Sequence, residues 1–111
     1  MEKFHIILAK SVAKLREETS SEFTMLMKHG TMSIEYYSPK KIDRQTPHKQ
    51  DEIYVIASGS GTFFRNGERV KFDTGDVLFV PAGIEHLFVN FTDDFATWVI
   101  FYGKEGGEKS Q

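Results

Sequence analysis

The sequence predicts an all-β fold: short antiparallel strands closed into a barrel or sandwich, with one short helix at the N-terminus. Three observations carry this. Ten Phe, four Tyr and one Trp in 111 residues suit half-buried pleated surfaces better than helix packing. About eight short runs rich in β-branched and aromatic residues alternate with Gly, Pro, Asn and Asp turn signals. No helical pattern separates these runs, which disfavours the crossovers that parallel strands require.

Each element follows from its own pattern. Phe4, Leu8, Val12 and Leu15 recur at spacings of four, four and three, so they line one face of a helix within an N-terminal segment at 1–20 that packs on the barrel exterior. The barrel is expected over 22–103. Phe23–Lys28 and Met32–Tyr37 flank His29-Gly30, a connection suited to a tight hairpin, and Pro39 stops the second run. Glu52–Ala57 ends at Ser58-Gly59-Ser60-Gly61. Gly61–Arg65 and Arg69–Phe72 flank Asn66-Gly67, the strongest short-range hairpin signal. Asp76–Val80 follows Thr74-Gly75, and His86–Phe91 and Thr97–Tyr102 are parted by Thr92-Asp93-Asp94. The polar, Gly-containing stretch 104–111 is expected to be a flexible tail.

Composition narrows the chemistry. Fourteen basic against sixteen acidic residues give a net charge of -2 and no basic stripe, so a nucleic-acid partner is not expected. With no Cys, disulfides and thiolate ligation are excluded, and any metal must be held by His, carboxylate or amide oxygen. Lys3, His5, Lys10 and Lys14 interrupt the N-terminal apolar residues, and no run approaches membrane-spanning length. The chain is read as soluble and cytoplasmic, without a membrane partner.

His48 and Glu52 are four residues apart, so an unbulged strand would set them on one face with Thr46, Gln50, Tyr54 and Ile56. A second strand brings His86, with Phe88 and Asn90 on its matching face. From Gly75 the sequence reads Gly, five residues, Pro81-Ala82-Gly83, two residues, His86, three residues, Asn90. This spacing resembles the second motif of the cupin superfamily at every defined position. His48, three residues, Glu52, six residues and Gly59 resemble the second half of the first cupin motif. Its first half departs: the first His would fall at Thr46 and the leading Gly at Lys40.

The resemblance spans about Met32 to Gly103 and implies a single domain folded as an antiparallel double-stranded β-helix, the jelly-roll barrel. It implies metal ligation by His48, Glu52 and His86, with no counterpart of the usual first His. A Thr hydroxyl is a poor ligand. Gln50, Gln45 or water would take that position. Two His and one carboxylate suit a divalent ion, but Fe, Mn, Ni, Co and Zn all tolerate this donor set.

Simpler roles fall to the other residues. His5 and His29 fall in no motif of ligand spacing and read as structural. Asp51 points away from Glu52 and reads as a solvated charge. Gly59, Gly75 and Gly83 read as turn devices, and Asn90 as a tie at a strand end. The aromatics read mainly as core, with Tyr54 and Phe88, together with Gln50, the candidates for lining a substrate pocket. Two functions stand open: a metal-dependent enzyme on a small molecule, a dioxygenase or isomerase by resemblance, or a non-catalytic module binding a sugar or organic acid. Thr97–Tyr102 lacks polar alternation and reads as buried on both faces, and a homodimer is expected in either case.

Overall fold

The computed structural model describes residues 4–18 and 21–109. Among them the chain forms a helix, α1 (Leu8–Glu17), and eight strands: β1 (Phe23–His29), β2 (Met32–Tyr37), β3 (Asp51–Ser58), β4 (Gly61–Arg65), β5 (Glu68–Phe72), β6 (Val77–Val80), β7 (His86–Val89) and β8 (Ala96–Tyr102). The strands pair into a five-stranded sheet, ordered β1-β2-β8-β3-β6, and a three-stranded sheet, ordered β5-β4-β7. Every pairing is antiparallel. The two sheets form a jelly-roll barrel.

Local chemistry sets the tight turns. Asn66 and Gly67 both have positive φ, at 48° and 88°, as a two-residue hairpin of the I′ type requires, and Arg65 pairs with Glu68 across it. The β1–β2 turn falls at Gly30-Thr31, one residue later than the composition suggested, since His29 pairs with Met32. Gly59 sits at φ 83°, where an added Cβ would lie 2.7 Å from the Phe95 Cα, so this β3–β4 turn has no room for a side chain.

Alternate residues of β3, β4, β7 and β8 fill the space between the sheets: Tyr54, Ile56, Phe63, Phe88 and Val99, joined by Phe72, Val80 and Phe95. The Phe88 ring centroid lies 4.7–5.3 Å from those of Tyr54, Phe63, Phe72 and Phe95. Such tilted and edge-on packing lets large rings fill a small barrel without voids. β8 lies between β2 and β3; Ala96, Thr97 and Val99 are buried, whereas Trp98, Ile100, Phe101 and Tyr102 are half-buried.

The helix departs from expectation in detail. α1 begins at Leu8, so Phe4 precedes it and is 91% exposed, and the deepest helical residue is Ser11, whose hydroxyl donates to the Ile7 carbonyl. Val12 and Leu15 are half-buried. Lys14 Nζ donates to the Thr24 hydroxyl and the Met25 carbonyl, tying the helix to β1. The rest of the 1–20 segment, residues 1–3, 19 and 20, lies outside the described residues, as do 110 and 111 of the expected tail. Residues 104–109 make defined contacts instead of trailing freely: Gly106 N–H donates to the Lys49 carbonyl and Glu108 N–H to Asp51. No helix among the described residues is long and apolar enough to cross a membrane.

Asp51 is a correction to the sequence reading. It is 3% exposed, and its carboxylate accepts from Ala82 N–H at 2.9 Å and Glu108 N–H at 2.8 Å. A carboxylate that meets two backbone donors satisfies its buried charge locally, so strand parity did not send it to solvent.

Candidate metal centre

β3 supplies Glu52 and β7 supplies His86, each 1% exposed and therefore inside the barrel. His48 is not on β3. It lies in the loop before it, so strand parity is not what aligns it with Glu52. Its backbone carbonyl accepts from Gly83 N–H at 2.8 Å, and its ring packs edge-on against Phe101 at 4.9 Å. Gly83 belongs to the same Pro81–Gly83 turn whose Ala82 N–H is held by Asp51 and which leads into His86. One turn thus ties the two imidazoles together, and the ligand-bearing atoms of His48, Glu52 and His86 all lie within 4.8 Å of one another.

Hydrogen bonding shows which atoms face the centre. His86 Nδ1 lies 2.8 Å from the Ile84 carbonyl; a carbonyl only accepts, so Nδ1 carries a proton and Nε2 is the ring nitrogen that faces the centre. A backbone carbonyl behind an imidazole is the usual way of fixing a metal-ligating tautomer. Nε2 comes within 2.8 Å of Glu52 Oε1, an ion-pair contact, and beyond that contact neither Nε2 nor the two buried Glu52 carboxylate oxygens has a hydrogen-bond partner. His48 Nε2 lies 3.8 Å from the same Oε1, with its side chain 31% exposed. Burial lowers the His48 pKa, with His86 adding to the effect and Glu52 opposing it. Burial also disfavours the charged form of His86, but Glu52 and the Ile84 carbonyl outweigh it and raise that pKa.

A buried polar atom left without a partner carries a penalty of roughly 1–3 kcal/mol, and here Nε2 and the two carboxylate oxygens have only the Nε2–Oε1 contact to offset it. A divalent cation satisfies all of these atoms at once, and two imidazoles with one carboxylate form a suitable donor set. The residues present fit a metal ion.

A cavity of about 830 Å³ adjoins the group, lined among others by Glu35, Tyr37, Arg44, Gln45, His48 and Phe101. Glu35 went unnoticed in the sequence. Alternation along β2 sets Ser33, Glu35 and Tyr37 along this cavity, so a carboxyl sharing a strand face with a core Tyr was the available signal. Burial raises the Glu35 pKa, and the negative charge of Glu52 raises it further.

The structure distributes the proposed pocket residues differently. Phe88 is 1% exposed at the centre of the aromatic core. Tyr54 is fully buried, and its hydroxyl donates to Gln45 Oε1 at 2.8 Å; burial raises its pKa well above the ordinary value, so it holds its proton. Neither ring lines the cavity. Gln50 does line the cavity, and its Nε2 donates to the Thr31 and Gly103 carbonyls, both at 2.8 Å, which ties strand ends together. Thr46 lines the same cavity and is exposed. Asp43 is the other residue the sequence did not reveal. It is 6% exposed and gathers four donors: the Tyr37 hydroxyl, Phe88 N–H, Gln45 N–H and Gln45 Nε2.

Comparison with known proteins agrees with this architecture. The chain is 30% identical over 88 residues to an uncharacterised protein of Streptomyces coelicolor, covering 78% of this chain and 84% of that one. It is 42% identical over 53 residues to an acireductone dioxygenase of Drosophila melanogaster, covering 43% of this chain and 28% of that protein. A cupin 2 conserved barrel domain protein of Salinispora arenicola superposes with a TM-score of 0.66 at 21% identity, covering 93% of this chain and 90% of that one. The family model described as a cupin domain matches residues 30–102, and with the jelly-roll barrel already traced, the chain belongs to the cupin family.

Proposed function

We propose that this protein is a metal-dependent cupin acting on a small molecule held in the cavity beside His48, with a dioxygenase reaction as its chemistry. The observation that carries the metal reading is the orphaned set of buried atoms: His86 Nε2 and both oxygens of Glu52. His48, Glu52 and His86 would hold the ion. When bound, it would supply Lewis acidity and a site for activating dioxygen or polarising a substrate oxygen.

The chain's own residues complete the site. His48 and Gln45 form part of the cavity wall, so the donor group opens toward the substrate space on one side while Glu52 and His86 stay dry. Arg44 in the cavity lining favours a substrate with anionic or enolic oxygen. Glu35, its proton affinity raised by burial and then by Glu52, is placed to exchange a proton with a molecule bound in the cavity. Likeness to proteins named acireductone dioxygenase, 33% to 42% identical over 53 to 60 residues in three of them, supports the oxygen-using branch. Those matches cover 28% to 33% of the relatives' lengths, so the substrate is a question for assay.

Elemental analysis of untagged wild-type and His86→Ala protein, each reconstituted with divalent metal and desalted, tests the reading. Wild type is expected to retain about one equivalent and the variant close to none. Equal, negligible metal in both would remove the metal reading. With metal present, an oxygen electrode separates the branches: uptake with diketones, phenols or thiols supports a dioxygenase, and none across the set moves the assignment to isomerisation or ligand binding.

A further inference from the structure

The metal donors identified so far number three, and Thr46, where the missing His would stand, is exposed. We infer that Gln45 is the fourth donor, contributing its side-chain oxygen to the metal centre while Asp43 holds the amide in the required orientation. The inference rests on the metal reading above and deepens it.

An amide presents oxygen at one end and nitrogen at the other, so its use as a ligand depends on what prevents it from turning over. Gln45 Nε2 donates to Asp43 Oδ2 at 2.8 Å. Reversing the amide would set an oxygen against a carboxylate that can only accept. At the other end, Oε1 accepts from the Tyr54 hydroxyl at 2.8 Å, a contact that either amide orientation could make because a hydroxyl also accepts. The orientation is therefore fixed by Asp43.

Oε1 so held lies 3.3 Å from His48 Nε2. Donors about 2.1 Å from a common ion are separated by roughly 3.0–3.4 Å at neighbouring octahedral or tetrahedral positions. The Gln45–His48 separation falls in that interval, and the oxygen keeps a lone pair after accepting from Tyr54. Asp43 is itself immobilised, since Tyr37 and Phe88 N–H bind it from β2 and β7. A neutral oxygen in place of an imidazole makes the centre harder, which favours Mn, Fe or Co over Cu.

Cobalt(II) titration followed in the visible d–d region tests the assignment, because affinity and band shape both report the donor set without any substrate. Gln45→Ala is expected to weaken cobalt binding at least about tenfold and to change the d–d spectrum. Gln45→Glu keeps an oxygen donor but sets a second carboxylate oxygen against Asp43, so it is expected to bind cobalt less tightly than wild type and more tightly than Gln45→Ala. Thermal denaturation of the metal-free variants checks that both fold. Wild-type affinity and an unchanged spectrum in Gln45→Ala would overturn the fourth donor while leaving the three-residue centre intact. Failure of wild type to bind cobalt would overturn both.

Discussion

Glu35 shows how the residue scale escapes sequence patterns. Nothing in Ser33-Ile34-Glu35 marks a cavity-lining carboxyl, because that placement comes from the cavity on one side and the charge of Glu52 beyond it. In the folded protein its pKa is raised, by burial and then by Glu52. A carboxyl that binds its proton more tightly folded than unfolded loses stability as pH rises from the ordinary Glu range through the raised value. Glu35→Gln in metal-free protein should therefore raise Tm at about pH 7 and leave it nearly unchanged at about pH 4. An unchanged or lower Tm at the higher pH would mean that the carboxylate is compensated there. By contrast His48, Glu52 and His86 were legible, since motif spacing names them. Asp43 was not, because a lone acid in a polar loop carries no periodic signal.

At the scale of elements, most strands were readable and the way they present the site was only partly so. The Asn66-Gly67 hairpin and the β2 run fall where local chemistry places them, because turn type and alternation are short-range properties. The segment before β3 was misread. Alternation was extended back to Thr46, whereas the strand begins at Asp51 and the stretch around His48 is irregular, shaped by contacts with distant chain. Gly83 N–H on the His48 carbonyl and Ala82 N–H on Asp51 are separated from their partners by more than thirty positions, beyond any window of sequence pattern. Asp51→Ala leaves two backbone donors without their acceptor, the Ala82 and Glu108 N–H groups. It should cost about 2–3 kcal/mol in urea denaturation. A loss under about 0.5 kcal/mol would return Asp51 to the status of a solvated surface charge.

For the molecule as a whole, an antiparallel sandwich or barrel follows from the count of strands, their turns and the absence of crossovers, and the jelly-roll from the motif resemblance, while the arrangement into five and three strands is a matter of long-range pairing. Enclosure by two sheets lets a carboxylate and an imidazole stand buried beside each other, and it leaves their inward atoms unsatisfied. The account therefore turns on what lies between them. Crystals grown with cobalt(II), with data collected at the cobalt absorption edge, address this directly. The expected anomalous difference map has one strong peak enclosed by His48 Nε2, His86 Nε2 and the Glu52 carboxylate, about 2.0–2.2 Å from each. A map with no peak there, and His86 Nε2 still against Glu52 Oε1, would contradict the metal centre.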